Sequence, residues 1–323
     1  MPLGTFISPG RKLESAIRRA RRAEELGYDS VYTTHIASYD SLTVLAAYAG
    51  ATERVKLGTG VLPMFSRTPV ATAQQAVTID EISGGRHILG IGVSHKVTVE
   101  NWFGTQIDKP VKDMREYVAT LRAIFAGEEP PQDHERFRTQ FRFMGPKPRP
   151  DLPLYIAALS PAMLRLAGRV ADGVILWLCN PDYIRDVVIP EVTTGRERAG
   201  KSLDGFDVVA AVPSAVTDDP DAARNALRGE LITYFSLPFY RKMLEGSGFG
   251  EDIERFDAKM AGGDPQGAVA EISDRFLGVL GAIGSPDEAK ASVQRYVDAG
   301  ANSPCIGGIS GTDFDATLEA LAP

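Results

Sequence analysis

One unit recurs along the chain: an amphipathic stretch at helical spacing, a glycine, then a short apolar run. Residues 15–26 read as a helix, Gly27 ends it, and Tyr28-Asp29-Ser30-Val31-Tyr32 follows as a strand. The same order returns at residues 163–167, Gly168 and residues 173–178, and again at residues 286–299, Gly300 and residues 303–307. The glycine takes the left-handed turn that closes a helix, and the chain then enters a strand. These strands are apolar without clean alternation, which predicts parallel strands buried on both faces. Eight are expected, near residues 3–7, 28–33, 55–61, 87–92, 153–157, 173–178, 207–213 and 303–307. Regular β–α alternation repeated eight times predicts an α/β fold, a closed (β/α)8 TIM barrel, as a single domain over residues 1–323. Three stretches exceed the minimal unit. Residues 93–110 read as a long loop and residues 127–150 as an excursion. Residues 234–285 read as short amphipathic pieces with an added strand at residues 276–280.

Composition narrows the setting. Hydrophobic residues make up 44% of the 323, enough for a large core. The formal charge of −7 argues against nucleic acid or an anionic membrane surface as the main partner. No apolar run approaches the roughly 20 residues of a membrane span, and the N-terminus lacks the pattern of a signal peptide. Cys179 and Cys305 form no CxxC, so a reducing, cytoplasmic location is the simplest expectation.

Candidate chemistry concentrates at strand ends. Two of them carry a GxG: Gly58-Thr59-Gly60 and Gly90-Ile91-Gly92. Neither has the third glycine of a dinucleotide fingerprint. Either the glycines relieve packing inside the barrel, or together they leave room for something flat against the backbone. His35 closes the second strand and His95 follows the fourth. Each could bond a cofactor or work as an acid or base, and each could equally be structural. His87 begins a strand and reads as structural; His134 reads as exposed. Ser160-Pro161 is a good helix start, either a simple cap or a phosphate site. Metal-ligand spacing, a GxSxG elbow and a GxxxxGK[ST] loop are all missing from the sequence. The basic run Arg18-Arg19-Ala20-Arg21-Arg22 is followed by Glu24 and Glu25 and reads as a solvated face.

In these stretches the chain resembles the luciferase-like monooxygenase superfamily, and within it the coenzyme F420-dependent oxidoreductases. The resemblance runs through residues 27–32, residues 54–61, and the block Asp80-Glu81-Ile82-Ser83-Gly84-Gly85-Arg86 leading into residues 89–93. It continues at residues 154–158, 171–173 and 284–289. It implies a bulge with a non-proline cis peptide at Gly60-Val61, backing a deazaflavin or flavin ring in the barrel mouth. It implies that His35, Gly92, Val93 and Ser94 line that ring, and that Ala158, Leu159 and Ser160 hold the cofactor's phosphate. Some members carry a catalytic glutamate where this chain has His95, which argues against glucose-6-phosphate as substrate. An insertion before the last strand and a homodimer are further family expectations.

The leading expectation is hydride transfer between C5 of F420 and a small organic substrate, with His35 or His95 moving the accompanying proton. The alternative is an FMN-dependent monooxygenase using reduced flavin and dioxygen. A third reading is a non-catalytic barrel that binds a flavin-like ligand. Trp102 and Phe103 are expected to cover the ring, and Phe235, Phe239 and Tyr240 to wall a pocket for an apolar or aromatic substrate.

Overall fold

The computed structural model describes residues 2–323. Its strands are β1 (Gly4–Phe6), β2 (Ser30–Thr33), β3 (Lys56–Thr59), β4 (Leu62–Pro63), β5 (His87–Gly92) and β6 (Leu154–Ala157). They continue as β7 (Gly173–Leu176), β8 (Asp207–Val216), β9 (Ala282–Gly284) and β10 (Ser303–Gly308). All pair in parallel, in the order β10-β1-β2-β3-β5-β6-β7-β8, and β8 pairs back onto β10 to close the ring. β4 continues β3 along β5, and β9 extends the far end of β8. The expected α/β barrel is therefore present, with helices between its strands.

Rings and glycines fill the barrel in complementary fashion. Tyr32, Ile88, Tyr155, Ile175, Val209 and Cys305 form an interior cluster, with Phe6 and Val61 packed on it. A side chain at Gly58 would meet the Tyr32 ring at 2.3 Å, and one at Gly60 would meet the Phe6 ring at 2.3 Å. At Gly90 it would meet the Thr59 carbonyl at 2.1 Å and Ile175 at 2.6 Å. Glycines 58, 60 and 90 of the two GxG stretches therefore relieve packing inside the barrel.

A bulge lies between β3 and β4. Gly58 pairs with Ile88 and Leu62 with Ile91, so β3–β4 spends one residue more than β5 over the same span. The Thr59 hydroxyl bridges the gap, donating to the Gly90 carbonyl at 2.7 Å and accepting from the Gly90 N–H at 2.8 Å. Gly60-Val61 is a cis peptide within this bulge.

The excess segments differ in part from expectation. Residues 276–280 belong to a helix, Asp274–Leu280, and the strand is the next stretch, β9. Ser273 caps that helix, and Phe276, Leu277 and Leu280 turn inward at helical spacing while Gly278 is exposed. Within residues 93–110, Lys96–Trp102 is helical. Residues 127–150 hold no helix or strand. They are pinned where the Glu116 carboxylate accepts the N–H groups of Glu135 and Arg136 at 3.3 and 3.0 Å, and where Arg149 holds Asp80 with two bonds. His134 lies half-buried beside Thr120 rather than exposed, because that excursion folds back on the helix Pro110–Ala126.

The block Asp80–Arg86 has structural work at the opposite face from the strand C-termini. Gly84 and Gly85 take positive φ, which glycine tolerates. Arg86 then donates to the carbonyls of Ser83, Val55, Ala49 and Thr52. His87, directly after it, is fully buried, its Nδ1–H donating to the Leu57 carbonyl at 3.0 Å.

Two stability measurements check this account. Gly58→Ala should lower unfolding free energy by about 1–3 kcal/mol in denaturant titration, because the buried Tyr32 ring cannot swing away. Gly10→Ala, which meets nothing, should stay within about 0.5 kcal/mol. Burial pushes His87 down to about 4. The fold therefore favours its neutral form: its stabilising contribution is complete above pH 6.5 and is lost as pH falls toward 4. The Tm of the parent should drop across that window more steeply than that of His87→Leu.

Candidate active site

Because all barrel strands run parallel, the segments that follow β2, β3, β5, β6 and β7 emerge at one end. These segments carry His35, Gly60-Val61, Val93-Ser94-His95, Ala158-Leu159-Ser160 and Trp177-Leu178. Val61 is half-buried on the interior cluster, beside Phe6, whose ring stacks on Tyr32 with centroids 5.4 Å apart. Gly92 is buried beneath it, since a side chain there would meet Val61 at 2.8 Å and Ala157 at 3.2 Å. The barrel mouth thus has a largely apolar floor.

His35 is fixed by its own loop. The Ser41 N–H donates to Nδ1 at 3.2 Å, and the Ser41 hydroxyl lies 3.1 Å away. An amide can only donate, so Nδ1 is the acceptor and the neutral ring carries its proton on Nε2. No protein group bonds Nε2 among the described residues. Burial, and then the positive Arg67, hold the imidazole below its ordinary pKa, with Asp40 pulling weakly the other way. His35 is therefore a neutral N–H donor near pH 7.

His95 has a different setting. It starts the helix Lys96–Trp102 and packs on Tyr240 and Tyr234, with ring centroids 5.7 and 6.3 Å away. Tyr234 also meets Tyr240 at 4.9 Å and Trp177 at 5.9 Å. Burial lowers the pKa of His95, so it too is neutral and can accept a proton. Tyr240 thus takes a place beside a candidate residue, but Phe235 and Phe239 do not. Phe235 is wholly buried against Phe256 and Phe276 in a core of the late insertion, and Phe239 is 60% exposed. Trp102 is also largely exposed.

Backbone conformation marks the same end. Ser94 and Leu178 are the non-glycine residues with positive φ among the described residues, at 65° and 62°. Such conformations are costly for residues with a side chain and persist where the surroundings impose them, often at functional sites. After β6, Ala158 is buried and Leu159 and Ser160 are half-buried. The Ser160 hydroxyl accepts the Met163 N–H at 3.4 Å, and the Leu159 carbonyl accepts the Tyr183 hydroxyl at 2.8 Å. Pro161 has no N–H and Ser160 caps the Met163 N–H, which leaves the Ala162 amide at the start of the helix Pro161–Val170 without a protein partner among the described residues.

A family model described as luciferase-like monooxygenase matches residues 1–303. The chain belongs to the luciferase-like monooxygenase family. A 5,10-methylenetetrahydromethanopterin reductase of Archaeoglobus fulgidus is 32% identical over 327 residues, covering 99% of this chain and 97% of the relative. A Mycobacterium tuberculosis protein provisionally named a coenzyme F420-dependent oxidoreductase is 29% identical, covering 86% of each chain. The structure of a coenzyme F420-dependent tetrahydromethanopterin reductase from Methanopyrus kandleri superposes with a TM-score of 0.84 at 24% identity, over 99% of this chain and 97% of that one. Membership in the luciferase-like family accounts for the barrel.

Sequence reasoning missed Arg67, Asp40, Trp177, Leu178 and Tyr234. Asp40 was readable as a helix cap, since its carboxylate accepts the Thr43 N–H at 2.8 Å. Trp177 and Leu178 were readable only as the end of an apolar strand. Nothing local marked Arg67 or Tyr234, whose places depend on contacts distant in sequence.

Proposed function

We propose that this chain is an F420-dependent oxidoreductase that exchanges hydride between the deazaflavin C5 and a small organic substrate. The observation that carries the reading is the bulge at Gly60-Val61. It presents a half-buried apolar side chain at the barrel mouth, between a neutral N–H donor at His35 and a helix start at Ser160. That arrangement fits a flat ring with an anionic tail. The relatives' names favour F420 over FMN, and the Archaeoglobus relative favours a reductase.

Bound F420 supplies the hydride chemistry at its C5; the protein supplies position, dryness and protons. Gly60 and Val61 back the ring, with Gly92, Val93 and Ser94 along the edge after β5. Ala158, Leu159 and Ser160 form the turn that takes the phosphate, using backbone amides and the positive end of the following helix. His35 donates through Nε2–H. His95, held neutral among Tyr234 and Tyr240, accepts or returns the proton on the substrate side. The aromatic wall of Trp177, Tyr234 and Tyr240 suits an apolar or aromatic substrate.

Fluorescence titration of the purified protein with F420 and with FMN tests the cofactor. Saturable F420 quenching is expected; tight FMN binding with no F420 binding would overturn the assignment in favour of a monooxygenase. Binding of neither would favour a non-catalytic barrel. For the two histidines, His35→Ala and His95→Ala should each lower kcat/KM by about tenfold or more on a reducible substrate. If neither does, the hydrogen-bond role of His35 and the proton role of His95 fail.

A further inference from the structure

Asp40 and Arg67 flank His35 without bonding it. The Asp40 carboxylate is fully engaged elsewhere. Its Oδ1 accepts the N–H and hydroxyl of Thr43, each at 2.8 Å, and its Oδ2 accepts from Arg67 Nη2 at 2.7 Å. The distance from Oδ2 to His35 Nδ1 is 3.7 Å, close enough for charge to act but too long for a hydrogen bond. Arg67 is held in turn by Gln75 at 3.3 Å and through its carbonyl by the Tyr117 hydroxyl at 3.2 Å. It lies six residues beyond Val61, on the segment after β4.

A carboxylate this close to a histidine ordinarily raises its pKa, as in an acid–histidine pair. Here the cation seated on that carboxylate offsets it. The Ser41 N–H opposes protonation too, because it needs the Nδ1 lone pair. Asp40 on the loop after β2 and Arg67 on the segment after β4 are the charged groups acting on the ring, and Ser41 on the helix Ser41–Ala49 is its remaining polar neighbour.

We propose that Arg67 is a positioning residue for His35: by occupying Asp40 it decouples that carboxylate from the imidazole and keeps His35 a neutral Nε2–H donor toward the ligand in the barrel mouth. The ligand's part of this statement rests on the F420 reading above; the charge coupling does not. The device differs from the usual histidine–carboxylate pair, where the acid bonds the ring directly and stabilises its cation.

The titration of His35 in the ligand-free protein tests it. With carbon-13-labelled histidine the chain shows four imidazoles, and His35→Gln identifies the signal. In Arg67→Met the His35 midpoint should move to higher pH by about one unit, because Asp40 then acts unopposed. In Asp40→Asn, which keeps a capping side chain, it should move to lower pH, because Arg67 then acts alone. The double variant should return toward the parent. A midpoint that stays put or moves oppositely in either single variant overturns the proposal, and Asp40→Asn decides it if Arg67→Met does not fold. With F420 present, the acid limb of the binding curve in Arg67→Met should shift with the midpoint. A His35 midpoint that moves as expected while F420 fails to bind overturns the cofactor reading and leaves the coupling standing.

Discussion

The mouth of this barrel depends on how its interior is filled. Aromatic rings occupy the inside, and each fits because a neighbouring strand offers glycine: Gly58 against Tyr32, Gly60 against Phe6, Gly173 against Tyr155. A closed eight-stranded ring leaves room for side chains but not for a row of large ones at one level. The small residues let Phe6 stack on Tyr32 and bring Val61 onto that stack. The floor of the barrel mouth is therefore the top of the core.

On this floor the chain sets neutral polar groups rather than charges. His35 and His95 are both pushed toward the uncharged form, by different means: burial and Arg67 for one, burial among aromatic rings for the other. Uncharged histidines near neutrality put no net charge beside an adjacent ring; one can donate a hydrogen bond through its N–H and the other can accept a proton. The helix start at Ser160 supplies positive potential through backbone amides, which needs no titratable group.

A stretch that resembles the family, Asp80 to Arg86, lies away from the strand C-termini. Its arginine satisfies backbone carbonyls at the N-terminal end of the barrel, and Asp80 anchors the excursion through Arg149. In a TIM barrel the two ends divide stability from function, and this motif lies at the stable end. A sequence signature of a fold need not be a signature of its site.

Much was legible in the chain as written. The helix–glycine–strand unit predicted a parallel β/α barrel: Gly27 and Gly300 close their helices with positive φ, whereas Gly168 lies inside the helix Pro161–Val170, packed against the Val192 carbonyl. Parallel strands then place everything after a strand at one end, so His35, Gly60-Val61, Ser94-His95 and Ser160 could be grouped from order alone. The tertiary structure decided the rest. It made residues 276–280 a helix, since an apolar run of five has no period of its own until a core selects one. It set Gly58 and Gly60 against the Tyr32 and Phe6 rings of other strands. It separated Phe235 from Tyr240, five residues apart, by sending one into a private core and the other toward His95. It also buried His35 and placed Arg67 on Asp40 beside it. A pKa is summed over neighbours in space, and a linear sequence does not say which neighbours those will be.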